Sequence, residues 1–287
     1  MKQKDRNGNL IEKQDGQQRM LAFLYGTGFG RILLKPLTCP WISKTVGWFL
    51  STGASRIFIQ SFIRKHKIDM SQFTRKKFHD YNAFFCRKIR PELRPVDTAA
   101  HHFISPCDSK LTALLITEQI RFTLKHTEYS VASLLKNDAL AAQYTGGYAM
   151  IFRLTVDDYH RYGYVDSGVC EPCVKMPGAL HTVNPIANDY FPIYKENSRE
   201  YCLLHTENFG DVVMMEVGAL LVGKIVNHPA GQVCRGQEKG YFQFGGSTVV
   251  VLVKKDVVQL DADILQNSAE GIETIVKYGQ KIGQKIS

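Results

Sequence analysis

The chain has 287 residues, 44% apolar and 22% charged, an ordinary globular composition with enough length to bury a core. That length allows one large domain, or a catalytic domain with a helical extension. The net charge is +9, yet residues 1–95 hold 19 Lys/Arg against 6 Asp/Glu while the rest is net acidic. Such asymmetry points to an anionic partner, either nucleic acid or a membrane surface.

Residues 1–19 read as a polar, mobile leader. They contain no apolar core, so no secretory signal is expected, and seven cysteines, an odd number, fit a reduced intracellular protein. Residues 20–66 turn aromatic and aliphatic, broken by Arg31, Lys35, Lys44, Arg56 and Arg64. Their longest uncharged stretches, 20–30 and 45–55, fall short of the roughly 18–20 residues that cross a bilayer. Val46, Leu50, Gly53 and Ile57 follow helical spacing. With Trp41, Trp48 and flanking cations they suit an amphipathic helix at a membrane interface; a helical hairpin packed on its own domain is the alternative.

In 71–95, Phe78, Tyr81, Phe84 and Phe85 interleave with Arg75, Lys76, Lys77, Arg87, Lys88 and Arg90. Single-stranded nucleic acid is bound by such mixtures. The 78/81/85 spacing favours one buried helix face with a solvated cationic back, ended by Pro91 and Pro95. From about residue 100, short apolar runs are punctuated by Gly, Pro and Asn, the pattern of a compact β domain whose last segment, 268–287, ends in a short strand or loop. The expected fold class is α+β: a β-rich catalytic domain over 96–287 behind a basic amphipathic helical membrane-association region over 20–95. Cys170-Glu-Pro-Cys173 is a lone CxxC with no second pair at zinc-finger spacing. It reads as two reduced thiols near a strand end, and no metal is expected.

Reactive side chains gather in four places. Asp108 follows Ser105-Pro106-Cys107, and Asp157-Asp158-Tyr159-His160-Arg161 ends an apolar strand. His181 follows a Pro-Gly turn, and Gly245-Gly246-Ser247-Thr248 enters the run Val-Val-Val-Leu-Val. Asp, His and Ser from separate loops form a charge relay only where the fold brings them together. The Gly-Gly-Ser corner is either a plain turn or a place where the chain cuts itself and makes Ser247 an electrophile.

Nine blocks stand in order: FHDYNAFFCRKIRPELRPVD (78–97), ISPCDSKL (104–111), FTLKHTEYSVASLL (122–135), DYHRY (158–162), GALHTVNP (178–185), ENSRE (196–200), EVGALLVGKI (216–225), EKGYFQFGGST (238–248) and ETIVKYGQKIG (273–283). Together they resemble the blocks of the phosphatidylserine decarboxylases. The resemblance covers about residues 70–284. It implies a pyruvoyl enzyme: Ser247 attacks the Gly246 carbonyl, an N→O acyl shift and β-elimination cut the chain, and a covalent pyruvoyl group derived from Ser247 is left. The products would be a β chain, 1–246, and an α chain, 247–287. The pyruvoyl ketone would condense with the substrate amine, and the protonated imine would serve as the electron sink for loss of CO2. Gly246, without a Cβ, suits a strained, exposed carbonyl.

The same resemblance places Asp108 and His160 in an Asp-His-Ser relay for self-cleavage. The family's YHRxH motif reads YHRYG here, so Gly163 stands at the second histidine, the usual base. His160 or His181 is then the candidate replacement. His126 stands where glycine is usual, and Gly245 replaces the commoner leucine. The implied partners are phosphatidylserine and an anionic membrane surface, with a peripheral place on the cytoplasmic side of the cell membrane. Nucleic acid is not expected, and the oligomeric state, with a homodimer as one option, is left open by the sequence. A relative acting on a soluble amino acid, and an uncleaved lipid-binding homologue, are the competing readings.

Overall fold

The computed structural model describes residues 2–12, 23–38, 40–124, 127–182, 193–219, 224–245 and 247–286. The run Ser247–Val253 has no polar alternation, so it needs cover on both faces. It forms a strand whose seven residues are all buried. Gly210–Val217 and Tyr148–Leu154 flank it, both antiparallel. The sheet continues through Arg199–Thr206 and Gly168–Cys170 to Gly231–Val233 on one side. On the other it runs through Ser109–Leu115 and Glu273–Val276 to Lys2–Lys4 and Leu10–Glu12. Val174–Met176 also pairs with Arg199–Thr206, giving eleven strands. A three-stranded sheet of Ile225–Asn227, Glu238–Phe242 and Arg161–Gly163 feeds the chain into the Gly-Gly-Ser corner. The fold is α+β and rich in strand, as the alternation of short apolar runs predicts.

Two expectations fail at the N-terminal end. Residues 2–12 are not a mobile leader. They form a hairpin whose first strand adds in parallel to the sheet edge, Gln3 opposite Glu273. Asp5 closes the turn by accepting hydrogen bonds from the backbone of Asn7 and Asn9, and Arg6 pairs with Asp261 at 2.6 Å. A polar sequence can do this because an edge strand needs one paired side, not a buried face. The remainder of the leader, 13–19, lies outside the described residues.

The helical face drawn through Val46, Leu50, Gly53 and Ile57 is also interrupted. A helix Pro40–Leu50 ends, a 3-10 turn Gly53–Arg56 follows, and a second helix runs Ile57–His66. The hydroxyl of Ser55 donates to the Leu50 and Thr52 carbonyls, which turns the chain between the two helices. Leu50 is therefore buried while Ile57 is 76% exposed. Among the described residues no helix is long and apolar enough to cross a membrane.

Leu50 and Ile59 from these helices pack with Tyr81, Phe84 and Phe85, and Phe244 joins the same cluster. The spacing 78/81/85 does face inward, as expected, but the helix is only Tyr81–Phe85. Asp80 caps it, its carboxylate accepting from the Ala83 backbone at 2.7 Å.

Candidate active site

The corner is built from both sides. Gly245 has φ +133°, a conformation that favours glycine; Gly246 lies outside the described residues. Asn82 Oδ1 accepts from the Phe244 backbone at 3.2 Å. The Phe244 ring meets Tyr81 and Phe85 edge-on at 5.2 and 5.4 Å between centroids. The Tyr81–Phe85 helix thus pins the approach to Ser247.

Ser247 opens the central strand opposite Leu154, and Thr248 sits between Val217 and Arg153. Both hydroxyls are fully buried, and neither has a hydrogen-bond partner among the described residues. A buried hydroxyl left unpaired costs about 1–3 kcal/mol. Such an orphan calls for a reason, and chemistry at the group is one.

His160 lies in the turn after Tyr148–Leu154, the strand that faces Ser247. Its ring is buried and packs on Phe85 at 4.1 Å, so one phenyl ring contacts both His160 and Phe244. Nδ1 donates to the Asp158 carbonyl at 2.9 Å, and Nε2 has no partner among the described residues. With the proton on Nδ1, Nε2 carries a free lone pair. Burial pushes its pKa down to about 4, against the opposing pull of the Asp158 carboxylate, so the ring is neutral at pH 7. The Asp158 carboxylate is itself held by Lys110 and Thr155.

Asp108 does not hydrogen-bond to His160 among the described residues, so the expected relay is not assembled in that form. Its buried carboxylate takes a bidentate bond from Arg94 at 2.8 and 2.5 Å and the Tyr278 backbone N–H at 2.9 Å. Burial works against ionisation, but Arg94, Lys277 and the Tyr278 amide outweigh it and hold the carboxyl below its usual range.

His181 comes from the opposite flank. Its backbone N–H donates to Asn197, whose amide donates in turn to the His181 and Gly218 carbonyls. Gly218 follows Val217, the partner of Thr248. Burial lowers the His181 pKa. Val183, Asn184 and Pro185 of the HTVNP block, like His126, lie outside the described residues.

Gly163 has a steric explanation. A Cβ there would lie 2.1 Å from the Tyr278 hydroxyl oxygen. That hydroxyl donates to the Gly236 carbonyl at 2.9 Å, so the ring is fixed in place. The space a histidine side chain would use is filled by tyrosine. Reading the sequence by motif found His160 but missed Arg94, Asn197 and Tyr278 as organising residues. All three stand inside the quoted blocks, and their partners are 14, 16 to 21, and 42 to 170 residues away.

A family model described as phosphatidylserine decarboxylase matches residues 81–284. The chain belongs to the phosphatidylserine decarboxylase family. It is 45% identical over 265 residues to phosphatidylserine decarboxylase proenzyme 2 of Clostridium acetobutylicum, covering 92% of this chain and 91% of that one. It is 40% identical over 282 residues to the phosphatidylserine decarboxylase proenzyme of Clostridium botulinum strain Hall, covering 96% and 95%. The proenzyme of Ruminiclostridium cellulolyticum is 40% identical over 276 residues, covering 93% and 92%. The enzyme class of the family is a decarboxylase, and these relatives are named as proenzymes.

Proposed function

We propose that this decarboxylase cuts itself between Gly246 and Ser247 and then decarboxylates phosphatidylserine at a membrane surface. The observation that carries this reading is the buried Ser247 hydroxyl, without a partner among the described residues and next in sequence to the glycine pair, with His160 packed on the same Phe85 ring as Phe244. In the proposed step, Ser247 Oγ adds to the Gly246 carbonyl carbon as His160 Nε2 takes the hydroxyl proton. The C–N bond breaks, the nitrogen takes up the proton, and an ester joins the two residues. Loss of the Ser247 α-proton breaks the Cβ–Oγ bond and frees the Gly246 carboxylate. Water then displaces the nitrogen as ammonia, leaving a pyruvoyl group at residue 247.

The residues present fit such a group: Ser247 is fully buried and held at the head of a strand paired on both sides. A ketone there supplies an electrophile for a substrate amine and an electron sink for the departing carboxylate. His160 is the preferred base because its Nε2 has no partner among the described residues and its ring packs on Phe85, which also contacts Phe244 of the corner. His181, behind Asn197, is the second candidate. Asp108 acts at a distance, fixing Arg94 and the Tyr278 turn that closes position 163.

The membrane reading rests on the N-terminal helices. Trp41, Trp48, Phe49, Ile57 and Phe58 are exposed there, with Arg56, Arg64 and Lys65 around them. Apolar side chains flanked by cations favour an anionic lipid interface, and the proposed place is the cytoplasmic face of the cell membrane. The test is CO2 release from phosphatidylserine liposomes against release from free serine, for the wild type and Ser247→Ala. Turnover of the lipid alone, abolished in Ser247→Ala, is expected. Turnover of free serine with none of the lipid would contradict the proposal.

A further inference from the structure

We propose that a basic cavity beside the Ser247 corner binds the phosphodiester of the lipid headgroup, with Arg87 as its anchor. This rests on the lipid substrate proposed above. The cavity is about 520 Å3, the size of a small-molecule site. Asn82 and Gln243 are on its wall, and Asn82 also holds the Phe244 backbone, so the wall is continuous with the corner. Arg75, Lys77, Arg87, Lys88 and Arg161 line it. Among the described residues Asp80 is the one carboxylate of the lining, and it is engaged with the Ala83 backbone and His79.

Arg87 makes the strongest case. It is 3% exposed, yet it forms no ion pair with a carboxylate among the described residues. Arg199 is equally buried and equally without a carboxylate, but it donates to the carbonyls of Ser133, Leu134, Lys195 and Asn197. Arg87 donates to one, Phe84, and its Nε has no partner among the described residues. The rings of Phe73 and Phe84 hold its guanidinium at 4.5 and 4.7 Å. A buried cation is costly without an anion. A guanidinium held flat and under-bonded is the fork that phosphate oxygens fit. Its neighbour Arg161 is already engaged with Glu238 and the Cys86 carbonyl.

The surroundings favour a phospholipid over a polynucleotide. Ser51, on the cavity lining, directly follows the helix that exposes Trp48 and Phe49. A lipid phosphate at Arg87 therefore leaves its acyl chains on an apolar ridge and its serine directed to the corner.

The test is steady-state kinetics of the full chain with phosphatidylserine in detergent micelles. Wild type is compared with Arg87→Gln and with the surface pair Arg75→Gln/Lys77→Gln. Glycerophosphoserine, inorganic phosphate and a single-stranded oligonucleotide are added as inhibitors, and intact mass records self-cleavage first. Arg87→Gln is expected to cleave, to raise KM about tenfold or more, and to change kcat less than about threefold. Glycerophosphoserine should compete with lipid, better than inorganic phosphate does, and about tenfold more weakly against Arg87→Gln. A cleaved Arg87→Gln with wild-type KM overturns the proposal. So does inorganic phosphate matching the diester, or the oligonucleotide as the better competitor. Should Arg87→Gln not fold, the surface pair decides: KM should rise about threefold, and an unchanged KM overturns the assignment. A wild type that does not cleave would sink the pyruvoyl mechanism instead. Glycerophosphoserine binding to that uncleaved chain, weakened in the surface pair, would still support the cavity's ligand, and equal binding would overturn it.

Discussion

At position 163 a histidine side chain has no room, because Tyr278 fills the space and is tied to Gly236. Gly163→His should therefore not improve self-cleavage. It is expected to lower the melting temperature by several degrees, the cost of overpacking being about 1–3 kcal/mol. Combining it with Tyr278→Ala should recover part of that loss; a Gly163→His variant as stable as the parent would contradict the packing account. His160 makes a second prediction at this scale. Its folded pKa of about 4 lies below the ordinary 6.5. The unfolded chain therefore binds a proton that the folded one refuses, and stability is full above pH 6.5 and lost as pH falls towards 4. The effect is on the order of 3 kcal/mol, and His181 pulls the same way. Urea unfolding of Ser247→Ala at pH 7.5 and 4.5 should show the loss, and His160→Gln should remove most of it. Equal pH dependence in both would refute the assignment. His160 was legible from its motif, whereas the reason for Gly163 was not, since Tyr278 is 115 positions away in sequence.

At the scale of elements, the five-residue helix Tyr81–Phe85 connects the N-terminal helices to the corner. Phe85→Ala removes the ring shared by His160 and Phe244. It should cost about 3–5 kcal/mol and slow self-cleavage more than the loss of stability explains, measured as cleavage rate under conditions where both variants are folded. Cleavage at the wild-type rate would show that the ring does not position the site. The inward positions 81 and 85 were readable in the sequence because side-chain period survives in a short helix, whereas Phe78 reaches the same cluster from outside it. The break between Leu50 and Ile57 was not, because a hydroxyl at Ser55, not a proline, turns the chain. The parallel strand Lys2–Lys4 was hidden for a related reason: its partner, Glu273–Val276, lies at the far end of the chain.

For the whole molecule, the proposed cut falls between two strands of different sheets and leaves the sheets themselves intact. The segment after it stays locked in place: Ser247–Val253 lies between Gly210–Val217 and Tyr148–Leu154, and Glu273–Val276 pairs with Ser109–Leu115. The two products should therefore remain associated without denaturant. The order of the family blocks along the sequence foretold the family, while the sheet pairing that would hold the two products together is a property of the fold. Intact-mass analysis of the purified, denatured protein tests the central claim most directly. Two chains split between Gly246 and Ser247 are expected, the smaller lacking a free amino terminus. A single uncut chain of 32.5 kDa, stable over days, would contradict it.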